Sequence, residues 1–147
     1  MSKWFLFTTI RSIPAWGVTL VSRTKANACV QNDDMPLIYE KMSRADMLVI
    51  ASPVYFYGLS AQLKAVIDRF HNPIRDTFRL KKMALLLVGA ATLPELFDSI
   101  LAQYRLCLNF FKLEDAGRVL VRGVKDKGDI KNADALHEAF HLGSNVQ

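Results

Sequence analysis

The hydrophobic and polar positions from Asp33 to Gly143 follow two alternating kinds of pattern. Two continuous apolar runs, Met47–Ala51 and Met83–Val88, are typical of strands that are covered on both faces. A shorter apolar run, Val119–Val121, predicts a third strand beside Met83–Val88. Stretches with apolar residues at helical spacing lie between and around these runs. This alternation of strand and helix predicts an α/β fold with a parallel sheet.

Helices are predicted where an apolar stripe follows residues that can cap a helix N-terminus. The predicted starting points are Asp33-Asp34 before Met35-Pro36, Ser60, a capping box of Thr92 and Glu95, and Asn132. Glycine often follows the last residue of a helix, so Gly143 is predicted to end the last one. Gly117 is predicted to lie in the turn between the third helix and the third strand.

Two loops are predicted at the carboxyl ends of the strands, where ligands of open parallel sheets bind. The first loop, Ser52–Gly58, contains three aromatic residues, which suit a flat apolar ligand or a partner if they are exposed. Gly58 allows a positive φ and a close backbone approach. The second loop, Gly89–Thr92, has only small side chains, so that a ligand could lie against its backbone.

The residues of these loops also fit a purely structural interpretation. The aromatic side chains of Ser52–Gly58 could pack into the core, because buried aromatic residues are common. The small residues of Gly89–Thr92 could form an ordinary tight turn between a strand and a helix. The two loops alone therefore leave a binding site and a structural role open.

Composition and charge narrow the class of protein. The 147 residues fit a single domain, predicted over 1–147, and 51% hydrophobic residues can build a buried core. The net charge is +5, but the basic residues are not clustered in a stripe, and the longest basic run in the sequence is Lys81-Lys82. No nucleic-acid partner is therefore predicted. No apolar run is long enough to span a bilayer, and no membrane partner is predicted. The two cysteines exclude a disulfide framework and point to the cytoplasm.

Several blocks of the sequence carry a resemblance to a known family. The blocks are Asn32–Met35, Ile38–Glu40, Ala45-Asp46, Ser52–Phe56, Gln62–Ala65, Ile67–Arg69, Gly123, Lys127–Ile130, Ala135-Leu136, Ala139 and Leu142-Gly143. They resemble the NADPH-dependent FMN reductase family, and more closely its branch of iron–sulfur-flavoprotein-like proteins and multimeric flavodoxins. The resemblance covers Cys29 to Gly143. It implies a three-layer flavodoxin-like fold.

The resemblance also implies a function and a site. It implies an oxidoreductase that binds FMN and transfers electrons from NAD(P)H to flavin or to another small-molecule acceptor. It further implies a homodimer or homotetramer with the flavin near a subunit contact. The residues predicted to bind the cofactor are Ser52, Pro53, Val54, Tyr55, Phe56, Gly58, Gly89, Ala90 and Ala91. Because a hydride passes directly between nicotinamide and flavin, no catalytic residue is predicted.

The first 31 residues depart from the family pattern, which predicts a truncated or irregular N-terminal part. The family wraps the FMN phosphate in a loop after its first strand, and no such loop is recognisable here. The nearest segment, Thr8–Ser12 after a possible strand at Lys3–Ile10, has hydroxyl groups and an arginine but no glycine. FMN is therefore predicted to bind more weakly than in an intact member.

Only Cys29 remains of the cysteine motif that holds an iron–sulfur cluster in some members of the branch, so neither a cluster nor any other metal site is predicted. One hypothesis for the departure is a frameshift in the gene up to about Arg23, because a shifted frame can restore that motif. Two alternatives to the enzyme remain. One is a non-catalytic remnant of the family with weak or no flavin binding, and the other is a protein-binding module that uses Tyr55–Tyr57.

Overall fold

The structure is a computed structural model that describes residues 11–15, 29 and 31–145, without the side chain of Asn132. The predicted strand Lys3–Ile10 and the residues of the frameshift hypothesis other than 11–15 lie outside this part. The described residues form two compact units. One contains 11–46, with the stated gaps, and 61–80, and the other contains 47–60 and 81–145. The prediction of a single domain over 1–147 stays a prediction.

The second unit contains a parallel sheet of three strands. The strands are β1 (Met47–Pro53), β2 (Lys82–Val88) and β3 (Glu114–Val121), in the order β1-β2-β3. Ile50 lies opposite Leu85 across the first pair, and Leu86 lies opposite Val119 across the second. The predicted α/β fold with a parallel sheet is confirmed, and so is the place of the third strand beside β2.

Helices and short turns connect these strands. The helices are α1 (Met35–Met42), α2 (Ala61–Asp68), α3 (Asp98–Phe111) and α4 (Ala135–Ser144), and the 3₁₀ turns are Pro73–Thr77, Pro94–Phe97 and Asp129–Asn132. Within the described part of the chain, no helix has both the length and the apolar character needed to cross a membrane. The helices α1 and α2 belong to the first unit, and α3 and α4 belong to the second.

Two predicted helix starts are wrong, each because a 3₁₀ turn precedes the helix. The capping box at Thr92 does not form. Leu93 precedes the 3₁₀ turn Pro94–Phe97, whose first residue has no backbone N–H to be capped, and α3 begins at Asp98. Asn132 likewise ends a 3₁₀ turn, and α4 begins after Asp134. The predicted end of the last helix was also slightly early, because α4 runs through Gly143 to Ser144.

Gly117 lies inside β3 and not in the turn before it. Its φ is 129°, and the pairing of β3 with β2 shifts register beside it, which marks a β-bulge. A Cβ atom at this position would lie 2.7 Å from Cδ1 of Leu142 on α4. Glycine therefore serves both the bulge and the packing of α4 against the sheet.

The core of the second unit is built around β2. Leu85, Leu87 and Phe97 are fully buried, and β2 has buried residues on both faces as predicted. In β1 the burial alternates, because Ile50 and Ser52 are buried while neighbouring residues are exposed. The prediction of cover on both faces is therefore wrong for β1. Its apolar run gave no sign of this, because alanine and valine suit both environments.

Near the start of the strands, Tyr104 of α3 ties the helix to the sheet. Its hydroxyl, which has one proton to donate, lies 2.7 Å from the backbone oxygen of Met83 and 2.9 Å from Oδ1 of Asp115. Burial raises the pKa of Tyr104, and the neighbouring Asp115 carboxylate raises it further. The group stays neutral and acts as a structural donor.

The first unit contains a buried ion pair at the start of α1. Nη1 of Arg69 lies 2.7 Å from Oδ2 of Asp33, and both side chains are almost completely buried. Oδ1 of Asp33 also accepts a hydrogen bond from the N–H of Met35, which confirms the predicted acidic start of the helix. Burial alone would raise the pKa of Asp33. The hydrogen bonds from Arg69 and from the N–H groups of Ile13 and Met35 outweigh it, and the pKa is lowered.

Candidate functional site

The carboxyl ends of the three strands are joined directly by backbone hydrogen bonds. The N–H of Val54 donates to the carbonyl oxygen of Val88 at 2.8 Å, and the N–H of Gly89 donates to that of Val121 at 2.8 Å. The segments that leave β1, β2 and β3 are therefore neighbours at one edge of the sheet. The two loops predicted to carry the site are brought together there, within the second unit.

The small-residue loop, Gly89–Thr92, lies close to the chain on both sides. A Cβ atom on Gly89 would lie 2.6 Å from Cδ2 of Leu96 and 3.6 Å from Cβ of Val54. Only glycine permits this approach without moving Leu96. Ala90 is exposed and Ala91 is half-buried. Gly89 itself is buried, so the accessible part of the loop begins at Ala90.

The aromatic turn, Tyr55–Gly58, reverses the chain between two hydrogen bonds. Tyr55 and Gly58 exchange both backbone N–H···O bonds at 3.0 Å, and the two residues between them have a φ of 46° at Phe56 and 64° at Tyr57. The positive φ that Gly58 would allow is therefore not found at this residue. It falls on two aromatic residues, because the turn centres one position earlier than a glycine-based turn would.

The aromatic side chains of this turn point to solvent. Phe56 is 97% exposed, Tyr55 63% and Tyr57 48%, so that packing into the core is excluded for them. The rings of Phe56 and Tyr57 meet edge to face, with centroids 5.6 Å apart. An exposed aromatic patch on a strained backbone at a ligand-binding edge is typical of a contact surface for a ligand or a partner.

Ser52 shapes this loop from inside. Its side chain is buried, and its hydroxyl donates to the carbonyl oxygen of Pro53 at 2.7 Å and accepts from the N–H of Ser60 at 3.1 Å. The hydroxyl thereby closes the base of the loop. Pro53 is exposed and Val54 is half-buried. The hydroxyl of Ser99, in the first turn of α3, donates to the carbonyl oxygen of Tyr57.

A third segment, Val121–Val124, reaches the same edge and was missed by the sequence analysis. The N–H groups of Gly123 and Val124 donate to the carbonyl oxygens of Ala91 at 3.3 Å and Gly89 at 3.2 Å. The segment is thus bonded to the small-residue loop along its length. Gly123, two residues after the end of β3, was the available signal, because a glycine after an apolar run marks a loop.

Arg122 of this segment holds the chain just beyond the small-residue loop. Its Nε donates to the carbonyl oxygen of Leu93 at 3.0 Å, and its Nη2 donates to that of Pro94 at 2.7 Å. The guanidinium also lies over the ring of Phe97, 4.6 Å from its centroid. A planar cation that makes two hydrogen bonds and a ring contact fixes the turn that follows the loop.

A model of the NADPH-dependent FMN reductase family matches residues 7–113. The chain belongs to this family. An iron-sulfur flavoprotein of Methanocaldococcus jannaschii is 47% identical over 129 residues, which cover 80% of this chain and 65% of the relative. An iron-sulfur flavoprotein of Methanosarcina thermophila is 49% identical over 63 residues, which cover 43% of this chain and 31% of the relative. The chain thus spans less than two thirds of either relative.

The fold is that of flavodoxin-like reductases. An NAD(P)H:quinone oxidoreductase from Methanothermobacter marburgensis superposes with a TM-score of 0.67 at 18% identity, over 93% of this chain and 77% of that one. This likeness and the family membership confirm the flavodoxin-like fold and the resemblance found in the sequence.

The residues of this chain do not fit the iron–sulfur cluster that the names of both relatives imply. A protein-bound cluster takes about four thiolate ligands, and the sequence contains two cysteines, Cys29 and Cys107. Among the described residues, no three side chains of His, Cys, Asp or Glu are grouped so as to hold a metal ion. The chemistry proposed below therefore includes no cluster.

Proposed function

We propose that the chain binds FMN at the carboxyl edge of its sheet and transfers electrons from NAD(P)H to flavin or to another small-molecule acceptor. Three lines support this function. The chain belongs to a family described by this reaction. Two relatives are named as flavoproteins. The predicted cofactor-binding residues meet at the edge where parallel sheets bind ligands.

The observation that carries the proposal is that the aromatic turn and the small-residue loop lie at the same edge of the sheet. The exposed rings of Tyr55–Tyr57 offer apolar area to a flat ring system, and the accessible residues Ala90 and Ala91 carry only methyl side chains. Bound FMN would supply the hydride chemistry. The residues of the chain hold the ring and keep water from it, and no side chain has to move a proton.

Ser52 and Gly58 enter the proposed site as shaping residues. The hydroxyl of Ser52 makes both of its hydrogen bonds within the loop, and Gly58 closes the aromatic turn through its backbone. Neither offers a side-chain donor to the cofactor. Gly89, which is buried and bonded through both backbone groups, also shapes the site, so that the ring contacts rest on Pro53–Phe56 and on Ala90 and Ala91.

The proposal includes a homodimer or homotetramer in which a second copy covers part of the aromatic turn. A side chain as exposed as that of Phe56 is expected to be covered in the working protein, by the cofactor or by a subunit. Light scattering at several protein concentrations measures the mass. A monomer at all concentrations, with and without FMN, would contradict this part of the proposal.

Flavin titration of the purified chain tests the cofactor. FMN fluorescence should be quenched on binding, and addition of NADH or NADPH without oxygen should bleach the flavin absorbance band. Phe56→Ala should weaken binding by about tenfold, because it removes ring contact area. Phe140→Ala is the matched control, since Phe140 is a second exposed aromatic residue and lies on α4.

The outcomes of this titration separate the alternatives. A wild-type chain that binds no flavin contradicts the proposal and favours the remnant or the protein-binding module. Flavin that binds but is not reduced by either nucleotide favours a flavin-binding remnant. Equal losses in the two variants would show that the aromatic turn is not the binding surface.

A further inference from the structure

The small-residue loop has little of its own to fix its shape. Its side chains are a hydrogen, two methyl groups and the exposed Thr92, so that it cannot be anchored by packing of large side chains. Its conformation therefore depends on hydrogen bonds made by its backbone and by the residues at its ends. The partners of those bonds come from Val121–Val124.

The two ends of the loop are held in different ways. At the beginning, Gly89 is bonded through its N–H to Val121 and through its carbonyl oxygen to Val124. At the far end, the holding group is the side chain of Arg122, which bonds the carbonyl oxygens of Leu93 and Pro94. The backbone bonds survive any substitution of a side chain. The second clamp depends on one residue.

We infer that Arg122 is a positioning residue, which holds the small-residue loop in the shape that receives the flavin. The inference rests on the function proposed above and adds a residue outside the two predicted loops. The ring of Phe97, under the guanidinium, is fully buried, so Arg122 is seated on a fixed part of the core. The chain directly after the loop is thereby tied to the core through Arg122.

The contacts require the shape of arginine and not only its charge. Two carbonyl oxygens of successive residues are bonded by two nitrogens of one plane, and that plane lies over an aromatic ring. A lysine ammonium carries the same charge but cannot bond both oxygens in this planar arrangement. Lysine at position 122 is therefore expected to fail in the same way as glutamine.

The test compares Arg122→Lys and Arg122→Gln with the wild-type chain and with Arg118→Gln. Arg118 is a matched control, because it lies in β3, four residues before Arg122, and makes an exposed ion pair with Asp115. Hydrogen exchange of the flavin-free chain measures how well the backbone amides of residues 89–97 are protected. Fluorescence quenching reads the Kd for FMN. Both variants at position 122 should raise the exchange rate of this segment and the Kd by about tenfold, and the control should change neither.

Each result decides the inference. Faster exchange confined to residues 89–97 with weaker FMN binding supports it. Unchanged exchange and affinity, or faster exchange spread over the whole chain, overturns it while the proposed function stands. Wild-type affinity in Arg122→Lys and its loss in Arg122→Gln overturns the positioning role in favour of charge alone. A wild-type chain that binds no flavin overturns the proposed function together with this inference.

Discussion

Exchanging Phe56 for glycine and for alanine tests whether the aromatic turn keeps its left-handed backbone in solution. The φ of 46° at Phe56 lies in the region where an L-residue loses about 1–2 kcal/mol relative to its preferred conformations. Glycine avoids this loss but gives up about 0.5–1 kcal/mol through the greater freedom of its unfolded chain. The glycine variant should therefore be more stable than the alanine variant by about 0.5–1 kcal/mol.

The comparison isolates the backbone because both substitutions remove the same ring. Phe56 is 97% exposed, so that little packing is lost in either variant. Phe140 supplies a control of opposite sign. It is also largely exposed but lies in α4, where glycine should be less stable than alanine by about 1 kcal/mol.

Denaturant unfolding at a fixed temperature gives the four stabilities, and a thermal scan should show differences of about 2–4 °C between the members of each pair. The sign of the difference between glycine and alanine should be opposite at the two positions. The same sign at both, with alanine more stable, would show that the turn does not have a left-handed Phe56 in solution.

Four further predictions concern the cofactor and the core. Riboflavin should bind almost as tightly as FMN in a fluorescence titration, because no phosphate loop of the family type is recognisable, and a strong preference for FMN would refute this. Ser12→Ala should not lower the free energy of unfolding, since the buried hydroxyl of Ser12 has no hydrogen-bond partner among the described residues. If the segment around Ser12 holds the phosphate, the same variant should weaken the binding of FMN but not that of riboflavin. Gly89→Val should lower the free energy of unfolding by about 1–3 kcal/mol, because a Cβ there meets Leu96, and an unchanged midpoint in urea would contradict it. Asp33→Asn should lower the free energy of unfolding by about 3–5 kcal/mol, because it leaves Arg69 buried without its ion partner. The wild-type chain should lose stability below about pH 4, where protonation of Asp33 removes the ion pair, and the variant should lose less over the same pH range.

The order of the strands could be predicted from the sequence because it depends on local patterns. The runs Met47–Ala51 and Met83–Val88 are short and apolar without a break, which is typical of strands in a parallel sheet. Helix starts were less predictable. The predicted cap of the third helix, Thr92, stands before a 3₁₀ turn, and that of the fourth, Asn132, ends one. A 3₁₀ turn and a first helical turn differ by one residue in hydrogen-bond spacing.

The position of the loops at the carboxyl edge could be predicted from the sequence, but their backbone conformation could not. Their position follows from the strands, whereas the left-handed residues of the aromatic turn do not follow from residue types. Gly58 offered the obvious place for a positive φ, and the structure puts it on Phe56 and Tyr57. The contacts of Arg122 were beyond sequence reasoning because they join side chain and backbone across 28 and 29 positions of the chain.

The aromatic turn combines two features that each cost free energy, a left-handed backbone and exposed aromatic area. That both occur in the same residues is an argument for function. Two bulky residues take a backbone conformation that glycine would take freely, and the same residues expose aromatic area that the core could have buried. A glycine stands next to them at Gly58, one position away from where it would relieve the strain. Folding alone does not explain this order of residues, because shifting the glycine would lower the strain and leave the strands unchanged. A bound ring system or subunit that covers Phe56 and Tyr57 would offset both costs with one contact, at the edge where open parallel sheets bind their ligands.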